Sequence, residues 1–197
     1  MKAPISIWLP ETIRCLPKKL NKIILNTKVG RDTGIATVER FAMLADEGSV
    51  QGSGSMAMVQ GELTAGMTFV ISRMPYELLT HMWPVNVANG ARKWVIENIE
   101  GGTLTGATID LALTESMLKR NEVGRLVLPD DAVNMTFGVQ DARFKGFGDF
   151  PPADGVDGTG IVTGRTFLSS VTKGEFITNE PALLHHFQWP DRNPRSF

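Results

Sequence analysis

The sequence predicts a mainly β fold, a twisted, curved antiparallel sheet with one short embedded amphipathic helix. Three observations predict it. Apolar and polar residues alternate at a period of two in five separate runs, turn-forming clusters recur every 10 to 20 residues, and a single clear run carries the helical period instead. Alternation at a period of two places one set of side chains on one face of a pleated strand and the other set on the opposite face.

In chain order, residues 1 to 20 carry no alternation and read as an irregular lead-in. Ile23, Leu25, Thr27 and Val29 make the first alternating strand, and GRDTG at 30 to 34 turns it. ATVERFAMLADEGSVQGSGSMAM reads as a strand, a turn at DEG (46 to 48) and a glycine-bearing strand. In ELTAGMTFVISRM, Leu63, Ala65, Met67, Phe69 and Ile71 occupy every second position, with Thr64, Thr68 and Ser72 between them. PYELLTHMW at 75 to 83 is a short helical candidate.

The clear helix is expected near 89 to 100. Ala91, Trp94, Val95, Asn98 and Ile99 recur at i, i+3, i+4, i+7 and i+8, with Arg92, Lys93, Glu97 and Glu100 on the other side. Asn89 is placed to cap its first turn, and Gly101 and Gly102 to end it. Strands follow at Ala107, Ile109, Leu111 and Leu113, at Val133, Met135, Phe137 and Val139, and more weakly at Phe167, Ser169 and Val171. TESMLKRN at 114 to 121 is a further short helical candidate; LPDDA at 128 to 132, PPADGVDGTG at 151 to 160 and TKG at 172 to 174 read as turns. Residues 21 to 178 thus form the β domain, and 179 to 197 lose the alternation and are expected to be irregular.

Composition excludes several classes. The net charge of −1, from 20 basic and 21 acidic residues spread along the chain, gives no electrostatic reason to expect nucleic acid. With 42% hydrophobic residues the chain can build a core, while no run approaches the roughly 18 apolar residues of a spanning helix. Cys15 is the only cysteine, so no internal disulfide forms. The 20 glycines, about 10% of the chain against a norm near 7%, fall partly inside the strand runs, where glycine marks bends and bulges of a strongly twisted sheet.

No motif supplies chemistry. In Gly158-Thr-Gly160-Ile-Val-Thr-Gly164 the third glycine is one place late for a dinucleotide loop and a strand follows instead of a helix. Taking Asp154 as the first ligand of a calcium loop leaves Val156 at the third position and Arg165 at the twelfth. His81, His185 and His186 lack partners at zinc spacing, Ser53 and Ser55 lie outside any nucleophile elbow, and Asp130-Asp131 sits in a turn. No cofactor, metal or catalytic residue is expected.

Around the helix, WPVNVANGARKWVIENIEGGTLTGATIDLAL resembles the hallmark of the AsmA-like superfamily of bacterial envelope proteins, nearest its YhdP-type branch: a Trp-Pro pair, a short helix, a Gly-Gly and a strand of alternating apolar residues. FPPADGVDGTGIVTGRTFLSSVTKGEF and VERFAMLADEGSVQGSGSM are similar to flanking segments of that family. The likeness covers about residues 20 to 178. It implies a gutter-like sheet of the AsmA/TamB type, part of a protein anchored in the inner membrane of a Gram-negative bacterium. That protein crosses the periplasm and shields phospholipid acyl chains on their way to the outer membrane, without catalysis. The membrane helix of that family has no counterpart in this chain, and the C-terminal NEPALLHHFQWPDRNPRSF does not match it, so the chain is expected to be a segment of such a gutter.

The residues expected to line the lipid groove are Leu63, Met67, Phe69, Ile71, Ile109, Leu111, Met135 and Phe137. Two rivals stand beside this expectation: a structural or adhesive β module with a closed core and no ligand, and a hydrolase with convergent Asp, His and Ser side chains.

Overall fold

A computed structural model describes residues 20–85, 87–119, 128–146 and 151–177. The expected irregular lead-in and tail, with Cys15, His185 and His186, lie outside them, except that Leu20 already belongs to the first strand. The described residues form an unclosed, curved antiparallel sheet. Its strands are β1 (Leu20–Val29), β2 (Ala36–Ala45), β3 (Gly48–Val59), β4 (Glu62–Ile71), the two-residue β5 (Met74–Pro75), β6 (Ile99–Thr114), β7 (Val133–Phe144), β8 (Ala153–Thr163) and β9 (Phe167–Phe176). Two helices, α1 (Tyr76–Met82) and α2 (Asn89–Asn98), sit between β5 and β6. The order β1-β2-β3-β4-β6-β7-β8-β9 is a simple meander, with β5 paired to the start of β6 beside β4. Neighbours along this path are all antiparallel, so no crossover is needed.

Five local expectations are corrected. Asn89 is the first residue of α2 and not its cap; Ala88, in the left-handed region at φ 46°, precedes it without a side-chain cap. The helix stops at Asn98, before Gly101 and Gly102, because Ile99 and Gly101 pair with Phe144 and Arg143 of β7, and ladder pairing outweighs continuation of the helical period. The segment 151 to 160 is not a turn: from Ala153 it is β8, and the turn falls at Gly164 to Thr166. TKG likewise lies within β9, and in the described part of the 114 to 121 candidate, 114 to 119, the helical residues are a 3-10 turn at Ser116–Leu118.

The core is small and one-sided. Met74, Leu78, Met82, Leu104 and Ala107 are buried together, with Met43, Val50, Ile71, Met135 and Phe137 packed around them. α1 thus lies across one face of the sheet near the lower end of β4 and β6. Its last turn is held by α2: the Arg92 guanidinium donates to the carbonyls of Trp83 (3.1 Å) and Thr80 (3.4 Å), a cation at the negative end of a helix where the final carbonyls lack partners. Arg92→Ala is expected to lower the unfolding free energy by about 1 kcal/mol, the net worth of such bonds; an unchanged urea midpoint would mean that α1 is fixed by packing alone. A second cluster of Ala142, Ala153 and Val156 lies at the lower end of β7 and β8.

Candidate functional site

Pairing register decides which side chains share a face. Leu25 pairs with Phe41, Phe41 with Gly52, Gly52 with Phe69, Phe69 with Ile109, Ile109 with Met135, Met135 with Val162 and Val162 with Phe167. Directly paired residues point to the same side. One row without a polar side chain therefore crosses every full-length strand, roughly 33 Å over seven strand spacings. On one side of it runs Val38, Gly54, Met67, Leu111 and Val133; on the other runs Ile23, Met43, Val50, Ile71, Ala107, Phe137 and Gly160. Leu63 faces Met58 near the upper rim.

All eight candidate lining residues thus fall on one face, and none is buried. Leu63 is 44% exposed and the other seven are half-buried. They are not equally open. Ile71, Met135 and Phe137 pack against the α1 cluster, so that end of the trough has a protein floor. Leu63, Met67, Phe69, Ile109 and Leu111 lie outside that cluster. The exposed Met58 (61%), Leu25 (59%) and Phe167 (60%) extend the same surface.

The sheet is curved, and on this face, taken as the inner one, aromatic rings reach across the strands between them. Phe41 and Phe69 are two strands apart, about 9.6 Å in a flat sheet, yet their ring centroids are 6.4 Å apart in an edge-to-face contact. Phe137 and Phe167 also meet across β8, again at 6.4 Å but stacked, with their planes 23° apart. In both cases the strand between carries glycine, Gly52 or Gly160, and the space its Cβ would fill is taken by the Phe69 or Phe137 ring. A Cβ on Gly66, which points to the opposite face, would meet nothing within 4 Å. Glycine on this face lets flanking rings close over the strand between them.

On β4, β6 and β7 the polar side chains lie on the other side. Thr68, Thr108, Asp110, Asn134 and Thr136 alternate with the lining residues, and Thr68 donates its hydroxyl to Asp110 at 2.7 Å. Isolated apolar residues such as Val70 also point outward, which is normal on a soluble surface. A shallow hollow of about 340 Å³ at the upper rim is lined mainly from this outer face by Ser55, Ala57, Thr64, Gly66 and Ala112, with Ala65 and Leu113 from the other face also at its wall.

The perturbed carboxyls are structural. Asp130 accepts hydrogen bonds from the Thr163 hydroxyl and the Arg165 N–H (2.9 Å), and these hold its pKa below the ordinary aspartate value, the Thr163 bond foremost. Asp154 is likewise lowered by Arg143, which it meets at 3.1 Å, and by the Gly155 N–H. A carboxyl with a depressed folded-state pKa stabilises above its unfolded value, and that contribution fades as pH falls through the folded one. Acidification is therefore expected to loosen the β8–β9 turn, seen as movement of the Arg165 amide resonance. In Asp130→Asn that movement should vanish; its persistence would assign the transition to another group.

Among the described residues no group of three His, Cys, Asp or Glu side chains is placed to hold a metal ion. His81, on α1, hydrogen-bonds the Glu77 carbonyl of its own helix. Asp154 and Asp157 serve the sheet: Asp157 accepts from the Asp141 N–H at 2.8 Å. Sequence reasoning did not name Phe41, Phe167, Gly52 or Gly160 as part of the lining. Phe41 was hidden because Glu39 is an extra residue in β2, so Val38 and Phe41 share a face at a spacing of three. Comparison of the chain with protein-family models, curated proteins and solved structures finds no significant match.

Proposed function

We propose that this chain is a non-catalytic segment of an AsmA-like, YhdP-type lipid-transfer protein, and that its inner sheet face shields phospholipid acyl chains between the inner and outer membranes of a Gram-negative envelope. The carrying observation is the apolar row from Leu25 to Phe167, which crosses every full-length strand and is left partly open along its length. An acyl chain spans one leaflet, about half of the 30 Å hydrocarbon core of a bilayer, so the trough is long enough to take one lying across the strands. Each fully buried CH₂ contributes roughly 0.8 kcal/mol, and no specific polar contact is required.

The periplasmic setting and the inner-membrane anchor of the parent protein belong to this proposal. Among the described residues no helix is long and apolar enough to cross a membrane. A closed structural module would instead bury its inner face against itself. That disagrees with the exposure of Leu63, Met58 and Leu25 on that face. Native mass spectrometry and lipid extraction of the purified chain test the reading directly. Phospholipid released only on denaturation supports it; a chain that stays lipid-free after incubation with phospholipid vesicles refutes it.

A further inference from the structure

Both long edges of the sheet, β1 and β9, lack a partner strand in the described topology. A ten-residue edge presents a row of backbone donors and acceptors that templates pairing with another strand. We infer that these two edges are complementary to each other, and that copies of this chain join head to tail, β9 of one copy against β1 of the next, to lengthen the trough. This rests on strand topology and register alone, and stands or falls apart from the lipid reading.

Strand parity comes first. The meander path has eight full strands, so β1 and β9 run in opposite directions. A second copy in the same orientation therefore meets the first antiparallel and keeps its apolar face on the same side.

Hydrogen-bond direction comes second. The Gly30 N–H donates to the Ile35 carbonyl, and the Thr163 N–H to the Thr166 carbonyl. Counting alternate residues from those pairs, Thr27 and Val29 on β1, and Phe167, Ser169 and Val171 on β9, turn their own N–H and C=O groups outward. These are also residues of the inner face. Outward groups on one edge thus meet outward groups on the other with no change of face.

Chemistry comes third. In the register that overlaps the two strands fully, Phe167 meets Val29, Ser169 meets Thr27 and Val171 meets Leu25. Those are an aromatic on a β-branched side chain, two hydroxyls, and two aliphatics, all favourable cross-strand pairs. Thr172 is the extra residue of β9, and beyond it Glu175 falls opposite Lys22 on the outer face, an opposite-charge pair. Phe167 at 60% and Val29 at 67% exposure are then covered.

Sedimentation of three proteins tests the joint. The wild-type chain is expected to grow with concentration past the dimer without a plateau, because a heterologous contact does not close on itself. Ser169→Pro and Thr27→Pro each remove an outward N–H without breaking the internal ladder; Ser169→Lys and Thr27→Lys serve if a proline variant does not fold by circular dichroism. Each variant alone should be monomeric. Mixed in equal amounts, the two should stop at a dimer joined through the intact β9 of one and the intact β1 of the other. A wild-type chain that is monomeric throughout the series overturns the inference. So does either variant dimerising alone, which would show β1–β1 or β9–β9 two-fold pairing, and so does a mixture that stays monomeric.

Discussion

Phe69→Asp is expected to reduce the phospholipid that copurifies with the chain by at least about tenfold, while leaving the β circular-dichroism signal in place. Phe69 sits mid-row, paired with Gly52 and Ile109, and its ring meets Phe41 at 6.4 Å. A carboxylate there loses its water when a hydrocarbon chain lies over it. Desolvation of an unpaired charge costs several kcal/mol, whereas 1.4 kcal/mol already means a factor of ten in binding. Because Phe69 also packs against Phe41, a second substitution separates binding from folding. Leu63 is 44% exposed, so Leu63→Asp costs the fold little and should still reduce lipid. Thr136→Asp, on the outer face opposite Thr108, should leave lipid retention unchanged. Equal retention by Phe69→Asp and Leu63→Asp would place the lipid elsewhere and sink the trough assignment. Equal loss by Thr136→Asp would point to general destabilisation.

How much of this was legible in the sequence follows from where alternation survives. β4 and the upper parts of β6 and β7 keep strict pairing from Thr64 to Ile71, Ala107 to Leu111 and Val133 to Phe137. In those runs spacing alone set seven of the eight candidate lining residues on a shared face of their own strands, and Leu63, paired with Met58, continues the β4 run by one step. It also located α1 and α2, where helical spacing replaces the alternation, but it offered the 114 to 121 segment as a third candidate. Bulges were the obstacle elsewhere. The extra Glu39 shifted Phe41 out of phase with Val38, and the Asp141 bulge, at φ 52°, did the same for Ala142.

Glycine misled in a different way. In ADGVDGTG it suggested a turn, since glycine and aspartate are turn formers. In the folded chain Gly158 and Gly160 are strand residues facing β9 and the Phe137 ring. Whether a glycine relaxes a turn or makes room for a neighbour's ring depends on partners far away in sequence. The open inner face was not readable at all: periodicity shows which residues share a side, and only packing shows that α1 covers one end of it and leaves the rest.

The bend at the lower end of β6 carries the largest stability prediction. Gly102 has φ 113°, and a Cβ on it would lie 2.6 Å from the Ala142 Cα and 2.8 Å from the Asp141 carbonyl oxygen. Both neighbours are backbone atoms of the β7 bulge, and Asp141 is itself in the left-handed region while its N–H is tied to Asp157. Neither can yield without opening the ladder. Gly102→Val combines a disfavoured backbone conformation for a β-branched residue with direct overpacking, together roughly 2–6 kcal/mol. Set against a total of about 5–15 kcal/mol for a folded domain, that is enough to leave a large unfolded fraction at 37 °C. Gly66→Val is the matched control. It lies in β4 with open space around its Cβ, and valine suits an exposed strand position, so its urea midpoint should equal or exceed that of the wild type. The two substitutions add the same atoms to the same sheet. If their midpoints differ by less than about 1 kcal/mol in free energy, the close contact between Gly102 and the Asp141–Ala142 bulge does not exist in solution.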